Sequence, residues 1–180
     1  SISQSDNGFI YVANNKGLLE FNGGDWNLYE TPNETIMRSV KAIEDKIFTG
    51  FYMDFGFWKK NKFGSLQFTS LVKKTKVNLL EDEQIWEIEN LDNYVLFKSL
   101  ERIYIYNTEN GKIEIINAEN RINKLSKIDD TFYFQVDKKG LFKIENGTAK
   151  LVSDDSILKE NTIVELFKNK EKLLFLTKKK

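Results

Sequence analysis

The sequence of 180 residues contains no cysteine and no histidine. Thiolate and imidazole ligands are therefore absent, which argues against structural zinc, histidine-ligated haem and iron–sulfur clusters. The same absence removes a cysteine nucleophile and a Ser-His-Asp triad from the candidate catalytic groups. We expect no cofactor and no metal site, and the lack of cysteine leaves the cellular compartment open.

An excess of charge of one sign is also lacking, because 27 lysines and arginines balance 27 aspartates and glutamates. No net field draws the chain toward a polyanion, so this segment is not expected to contact nucleic acid directly. No apolar run reaches the roughly 18 residues that cross a bilayer, and residues 1–8 lack the features of a signal peptide. The sequence begins without methionine and ends in three lysines, from which we expect an excerpt of a longer chain.

What the sequence does contain is a repeat. Hydrophobic residues make up 41% of the chain and aromatic residues 13%, enough for a folded core. Five short runs rich in aromatic and β-branched residues recur, and their equivalent positions are Ile10, Ile47, Val95, Phe132 and Leu174. The spacings of 37, 48, 37 and 42 residues are about the length of one four-stranded propeller blade.

Each run begins a unit of four strands. A second apolar strand follows the run, with glycine near its start at Gly17, Gly56 and Gly140. A turn rich in asparagine and glycine comes next, then a third strand, and a fourth strand precedes the next run. Four antiparallel strands per unit are compatible with a sandwich, a barrel or a propeller, and the fixed period favours the propeller.

We therefore predict an all-β fold, a β-propeller fragment of about four four-stranded antiparallel blades plus a partial blade. The expected blades are residues 1–31, 35–73, 84–118 and 121–154, with the partial blade at 161–177. Residues 73–84 are predicted to form a helical turn or a long loop inserted between blades, and an amphipathic helix outside the repeat is the alternative.

Two stretches resemble the two-component regulator propeller repeat. The first is DNGFIYVA at residues 6–13 followed by GLLEF at 17–21, and the second is DDTFYF at 129–134 followed by GLF at 140–142. Residues 36–40 and 50–58 also resemble the sensor region of bacterial regulators that bear a triple-tyrosine domain. The third repeat departs from the pattern, because Arg102 stands where glycine is expected.

This resemblance implies an extracytoplasmic, periplasmic location. It also implies that an immunoglobulin-like triple-tyrosine domain, a membrane helix and a cytoplasmic signalling or helix-turn-helix segment follow the propeller. No membrane span is expected within this segment itself. A dimer formed through the rest of the chain stays open.

Six candidate ligand-binding residues follow if residues 36–43 and their equivalents are the innermost strands, because ligands of propellers meet loops at one face of the central channel. They are Arg38, Tyr52, Asp54, Trp86, Arg102 and Arg121. Arg38 would pair with a carboxylate or sulfate, or instead form a salt bridge between blades. Trp86 and Tyr52 would stack on a sugar ring or another flat ligand, or instead belong to the core.

Three functions stay open. The expected one is a non-catalytic sensor or ligand-binding propeller of a bacterial signal-transduction or transcription-regulator protein, whose partner is an unknown small molecule, a glycan or a partner protein domain. The second is a propeller-fold enzyme, a lyase or glycosidase, that uses acids such as Asp54 or Glu87. The third is a protein-interaction scaffold that has no small ligand.

Overall fold

The computed structural model describes residues 1–179, and these residues form four four-stranded antiparallel sheets and one two-stranded sheet. The first sheet contains β1 (Ile2–Gln4), β2 (Ile10–Asn14), β3 (Gly17–Phe21) and β4 (Trp26–Glu30). The second contains β5 (Met37–Ile43), β6 (Lys46–Phe51), β7 (Asp54–Lys60) and β8 (Leu66–Ser70). The third contains β9 (Glu87–Leu91), β10 (Tyr94–Lys98), β11 (Arg102–Asn107) and β12 (Ile113–Asn117).

The fourth sheet contains β13 (Ile122–Ile128), β14 (Thr131–Val136), β15 (Gly140–Glu145) and β16 (Thr148–Ser153), and the two-stranded sheet contains β17 (Asn161–Asn169) and β18 (Lys172–Lys179). Strands that follow one another in the chain are neighbours in every sheet. The prediction of an all-β propeller fragment, with four four-stranded blades and a partial one, is confirmed.

The turn between the first and second strand of a sheet has a recurring backbone conformation. Glu44, Asp92, Asp129 and Lys170 each have a φ between 48° and 54°, in the left-handed region that residues other than glycine, asparagine and aspartate seldom adopt. The turn of the first sheet uses Gly8, with a φ of 85°. A reversal of the chain between the first two strands of each sheet keeps these strands antiparallel.

Two helices of five residues connect sheets. Helix α1 (Leu71–Thr75) follows β8, and the Ser70 side chain accepts a hydrogen bond from the Lys73 N–H at its start. Helix α2 (Ser156–Glu160) follows β16 and is capped by Asp155. The segment predicted as a helical turn or loop is therefore a short helix that begins at Leu71 and a loop that continues to β9. Helix α2 was not predicted.

The chain divides into two compact units. Unit 1 comprises residues 1–99 and 106–113, and unit 2 comprises residues 100–105 together with the described residues from 114 onward. In unit 1, β5 lies against β1, β2 and β9. The buried cluster of unit 1 between the first two sheets is formed by Tyr11, Leu18, Met37, Val40, Ile47, Phe51, Trp58 and Leu66. The buried cluster of unit 2 is formed by Leu141, Leu158, Ile163 and Leu166.

Candidate functional site

The first strands β5, β13 and β17 each carry a bulge near their start. In β5 the register moves from Met37–Phe51 to Ser39–Gly50, so Arg38 is an extra residue with no partner in β6. Trp86 precedes β9 by one residue, as Arg38 precedes Ser39. The backbone N–H of Trp86 donates to the backbone carbonyl of Lys98, the residue that pairs with Glu87. Bulges re-aim side chains and are frequent beside binding sites. Arg38 and Trp86 therefore hold the same position in successive repeats.

Unit 1 brings these two side chains together. The Arg38 Cζ lies 4.8 Å from the centroid of the Trp86 ring, within the range of a cation–π contact. The Arg38 Nε donates to the Gln84 Oε1 at 2.8 Å, which fixes the plane of the guanidinium group. Trp86 keeps 38% of its surface exposed, so the indole also faces solvent.

Tyr52 belongs to the same cluster through the segment that leads into β9. Tyr52 forms an isolated antiparallel bridge with Gln84, and its hydroxyl donates to the Asp82 Oδ1 at 2.5 Å. That hydrogen bond, followed by the negative charge of Asp82, raises the pKa of Tyr52, because both favour the protonated phenol. The Met53 N–H also donates to the Glu83 carbonyl at 2.8 Å. Residues 82–86 are therefore fixed across the turn between β6 and β7.

Asp54 follows this turn, but its side chain bonds to neighbouring parts of the fold. Its side chain is buried, and its Oδ1 accepts hydrogen bonds from the Ser70 hydroxyl at 2.7 Å and from the Phe55 N–H at 2.8 Å. Burial raises the pKa of Asp54, because water no longer stabilises the carboxylate. Since Ser70 also caps α1, the contacts of Asp54 connect β7 to that helix.

The remaining charges of the first strands in unit 1 are paired. The Lys41 Nζ lies 3.0 Å from a Glu89 carboxylate oxygen, which joins β5 to β9. The Glu87 carboxylate lies 3.0 Å from the Nζ of Lys98, a lysine that is almost fully buried. Within residues 1–179, no carboxylate forms an ion pair with Arg38.

The other two predicted site residues lie in unit 2. The Arg102 Nη1 donates to the Tyr104 hydroxyl at 3.3 Å. Arg121 has an exposed side chain, and its carbonyl accepts from the Asp137 N–H at 2.8 Å. In unit 2 the bulge positions equivalent to Arg38 are Asn123 in β13 and Val164 in β17.

Of the six predicted residues, Arg38, Tyr52 and Trp86 thus form one cluster, and Asp54 lies next to its turn as a buried group. Sequence reasoning missed Gln84 and Asp82, which connect the cluster. An alignment of the repeats on the turns at Glu44 and Asp92 would have identified Arg38 and Trp86 as equivalent.

No group of three or more aspartate, glutamate, histidine or cysteine side chains in residues 1–179 is placed to hold a metal ion. Over the same residues, no helix has the length and apolar character needed to cross a membrane.

The fold is similar to that of several solved structures. Two of them are the extracellular domain of BT4673 from B. thetaiotaomicron, described once as a hybrid two component system and once as a one component system. Their TM-scores are 0.71 and 0.67 at 16% and 15% identity, over 98% of this chain. A protein of unknown function from Bacteroides caccae matches 94% of the chain with a TM-score of 0.61 at 11% identity. No protein-family model matches the chain, and no curated protein sequence matches it.

The resemblance to two-component regulator propellers is thus matched by a likeness in structure to the extracellular domain of such a system. At these identities the likeness shows the fold alone. The chain spans 66% of the Bacteroides caccae protein and 26% and 25% of the two BT4673 structures.

Proposed function

We propose that this chain is part of the sensor propeller of a bacterial signal-transduction or transcription-regulator protein, and that it binds an extracytoplasmic ligand without catalysing a reaction. The observation that carries the proposal is the cluster of Arg38, Tyr52 and Trp86 at a bulged first strand. Its combination of an oriented cation and a half-exposed indole matches the few convergent polar groups and aromatic surface of ligand sites.

The compartment and the role in signalling rest on the likeness to the extracellular domain of BT4673 over nearly the whole chain. A small molecule or a glycan is the proposed ligand, because an indole face and a planar cation suit a ring that carries polar groups.

The absence of catalysis is supported by the state of the two acids that an enzyme would use. Asp54 is buried and receives two hydrogen bonds, and Glu87 is paired with Lys98. A general acid or a nucleophile would have to face a substrate, and a glycosidase needs two carboxylates across a cleft.

The test is a binding screen of the purified chain against small sugars, sugar acids and ester substrates, with thermal stability and product formation as readouts. We expect one class of compound to raise the melting temperature without turnover. Trp86→Ala should remove that shift, whereas Trp26→Ala, which changes an exposed tryptophan on β4, should keep it. Turnover that Asp54→Asn abolishes would favour the enzyme, and a stabilising ligand that binds Trp86→Ala equally well would refute the site.

A further inference from the structure

We infer that the ligand of this site carries a carboxylate, which binds end-on to the two Nη groups of Arg38. The inference rests on the proposed function and names the chemical class that the cluster selects. It follows from three properties of the cluster: the pairing of its charges, the orientation of its guanidinium group and the state of the neighbouring acids.

Among the charged side chains of β5 and β9, that of Arg38 forms no ion pair with a described residue. Lys41 and Glu89 neutralise each other, and Glu87 is neutralised by Lys98. Arg38 has instead a neutral amide and an indole ring as neighbours. A guanidinium group with these neighbours keeps its positive charge available to a ligand, because neither neighbour carries a negative charge.

The contacts of Arg38 also decide which side of the guanidinium group is available. Nε is already bonded to the Gln84 amide oxygen, and one face lies over the Trp86 ring. No hydrogen bond from either Nη is found within residues 1–179. Two parallel N–H groups at that edge match the two oxygens of a carboxylate, and lysine would not reproduce this geometry.

The acidic residues of the neighbouring segment do not occupy this edge. The Asp82 Oδ1 accepts a hydrogen bond from the Tyr52 hydroxyl, and the Glu83 Oε2 accepts one from the Leu80 N–H at 2.9 Å. A ligand carboxylate would therefore meet a guanidinium group that forms no ion pair with these acids. The ring that carries it would lie beside the half-exposed Trp86.

The experiment compares glucuronate with glucose, two pyranoses that differ only in the group at C6. Binding to the purified chain is followed by tryptophan fluorescence and by titration calorimetry. We expect glucuronate to bind about tenfold or more tightly than glucose, since a charge-assisted hydrogen bond contributes about 1.5–3 kcal/mol. Sodium chloride should weaken the binding of glucuronate and leave that of glucose unchanged.

Arg38→Met keeps an unbranched apolar stem like that of arginine but removes the guanidinium group, and it should reduce the affinity for glucuronate to that for glucose. Arg38→Lys should fall between the wild type and Arg38→Met, because it restores the charge without the two-pronged geometry. If either variant fails to fold, the salt dependence of the wild type still decides the matter.

Equal affinity for the two sugars, no response to glucuronate, or full affinity in Arg38→Met would overturn the inference. The proposed function fails on a different result, namely a ligand found in the screen that binds independently of Trp86. A neutral ligand whose binding needs Trp86 but not Arg38 would be consistent with the proposed sensor function and would contradict only the inference that the ligand carries a carboxylate.

Discussion

At the scale of single residues, three glycines have the same steric role. A Cβ at Gly17, Gly56 or Gly140 would collide with the backbone carbonyl oxygen of the adjacent strand, at Tyr29, Thr69 and Ser153 respectively. Gly17 and Gly140 also have positive φ values of 147° and 119°, which side chains rarely adopt. The recurrence of glycine in the sequence therefore reports close approach between the third and fourth strands.

We predict that Gly17→Ala lowers the free energy of unfolding by about 1–3 kcal/mol, because the methyl group collides with backbone and φ is unfavourable. The control is Gly24→Ala in the turn after β3, where the nearest atom to the new Cβ is 3.7 Å away. It should change the free energy by no more than about 0.5 kcal/mol. Urea unfolding followed by tryptophan fluorescence measures both, since all three tryptophans lie in unit 1. Equal effects of the two substitutions would contradict the steric explanation.

The sequence revealed the glycines as a pattern but did not reveal their cause. The residue types predicted positive φ values in the turns rich in asparagine and glycine. The collision that excludes a Cβ at the three glycines depends instead on a carbonyl more than ten residues away in the chain. The sequence likewise selected Arg38, Tyr52 and Trp86 by residue type and loop position. The partners Gln84 and Asp82 were not predicted, because a loop residue acquires a partner only through the tertiary fold.

At the scale of elements, the position opposite a bulge lies against the segment of chain that enters the next sheet. In the second sheet this position is Gly50, whose missing side chain leaves room for Ile85, and Ser39 donates to the Ile85 carbonyl at 3.0 Å. In the fourth sheet it is Gln135, which is fully buried. Its amide donates to the carbonyls of Leu158 and Asn161 and accepts from the Ile163 N–H, each at 2.7 Å.

We predict that Gln135→Leu destabilises α2 and the start of β17 by about 1–3 kcal/mol, because three backbone groups in buried or partly buried hydrogen bonds lose their partner. Hydrogen exchange of the Ile163 amide should accelerate about tenfold or more. Gln67→Leu on β8 is the control, since that side chain is exposed and should leave the exchange rate unchanged. Unchanged protection in Gln135→Leu would show that packing alone orders this connection.

Strands were predictable because aromatic and β-branched runs recur with a fixed period. Short elements without that signal were missed, among them β1 (Ile2–Gln4) and α2 (Ser156–Glu160). The bulges were missed as well, since an extra residue in one strand is defined only by the register with its partner.

At the scale of the whole molecule, the two-stranded sheet leaves an exposed apolar surface. Val164, Phe167, Leu174, Phe175 and Leu176 are each at least 40% exposed. Within the described residues β17 is the one strand paired with β18, so the other edge of β18 has free backbone groups. Such an edge promotes pairing with another chain.

We predict that the purified chain of 180 residues self-associates, as measured by light scattering coupled to size-exclusion chromatography. Leu176→Lys should shift the population toward monomer, because a charge on the exposed edge strand opposes strand addition. Leu28→Lys places the same charge on β4, which is also an edge strand but belongs to a complete four-stranded sheet with fewer exposed large apolar side chains, and it should have a smaller effect. A stable monomer of the wild-type chain would contradict this prediction.

The bulge at the start of the first strand frees one position from the alternation that governs the rest of the sheet. The bulge holds a cation, an amide and an aliphatic group in three sheets, at Arg38, Asn123 and Val164, and the equivalent position ahead of β9 holds the indole of Trp86. Evolution can exchange side chains there without moving apolar residues to the wrong face. The scaffold thus separates the demands of folding from the choice of side chain at this point, and under the proposed function new specificities would arise by substitution there.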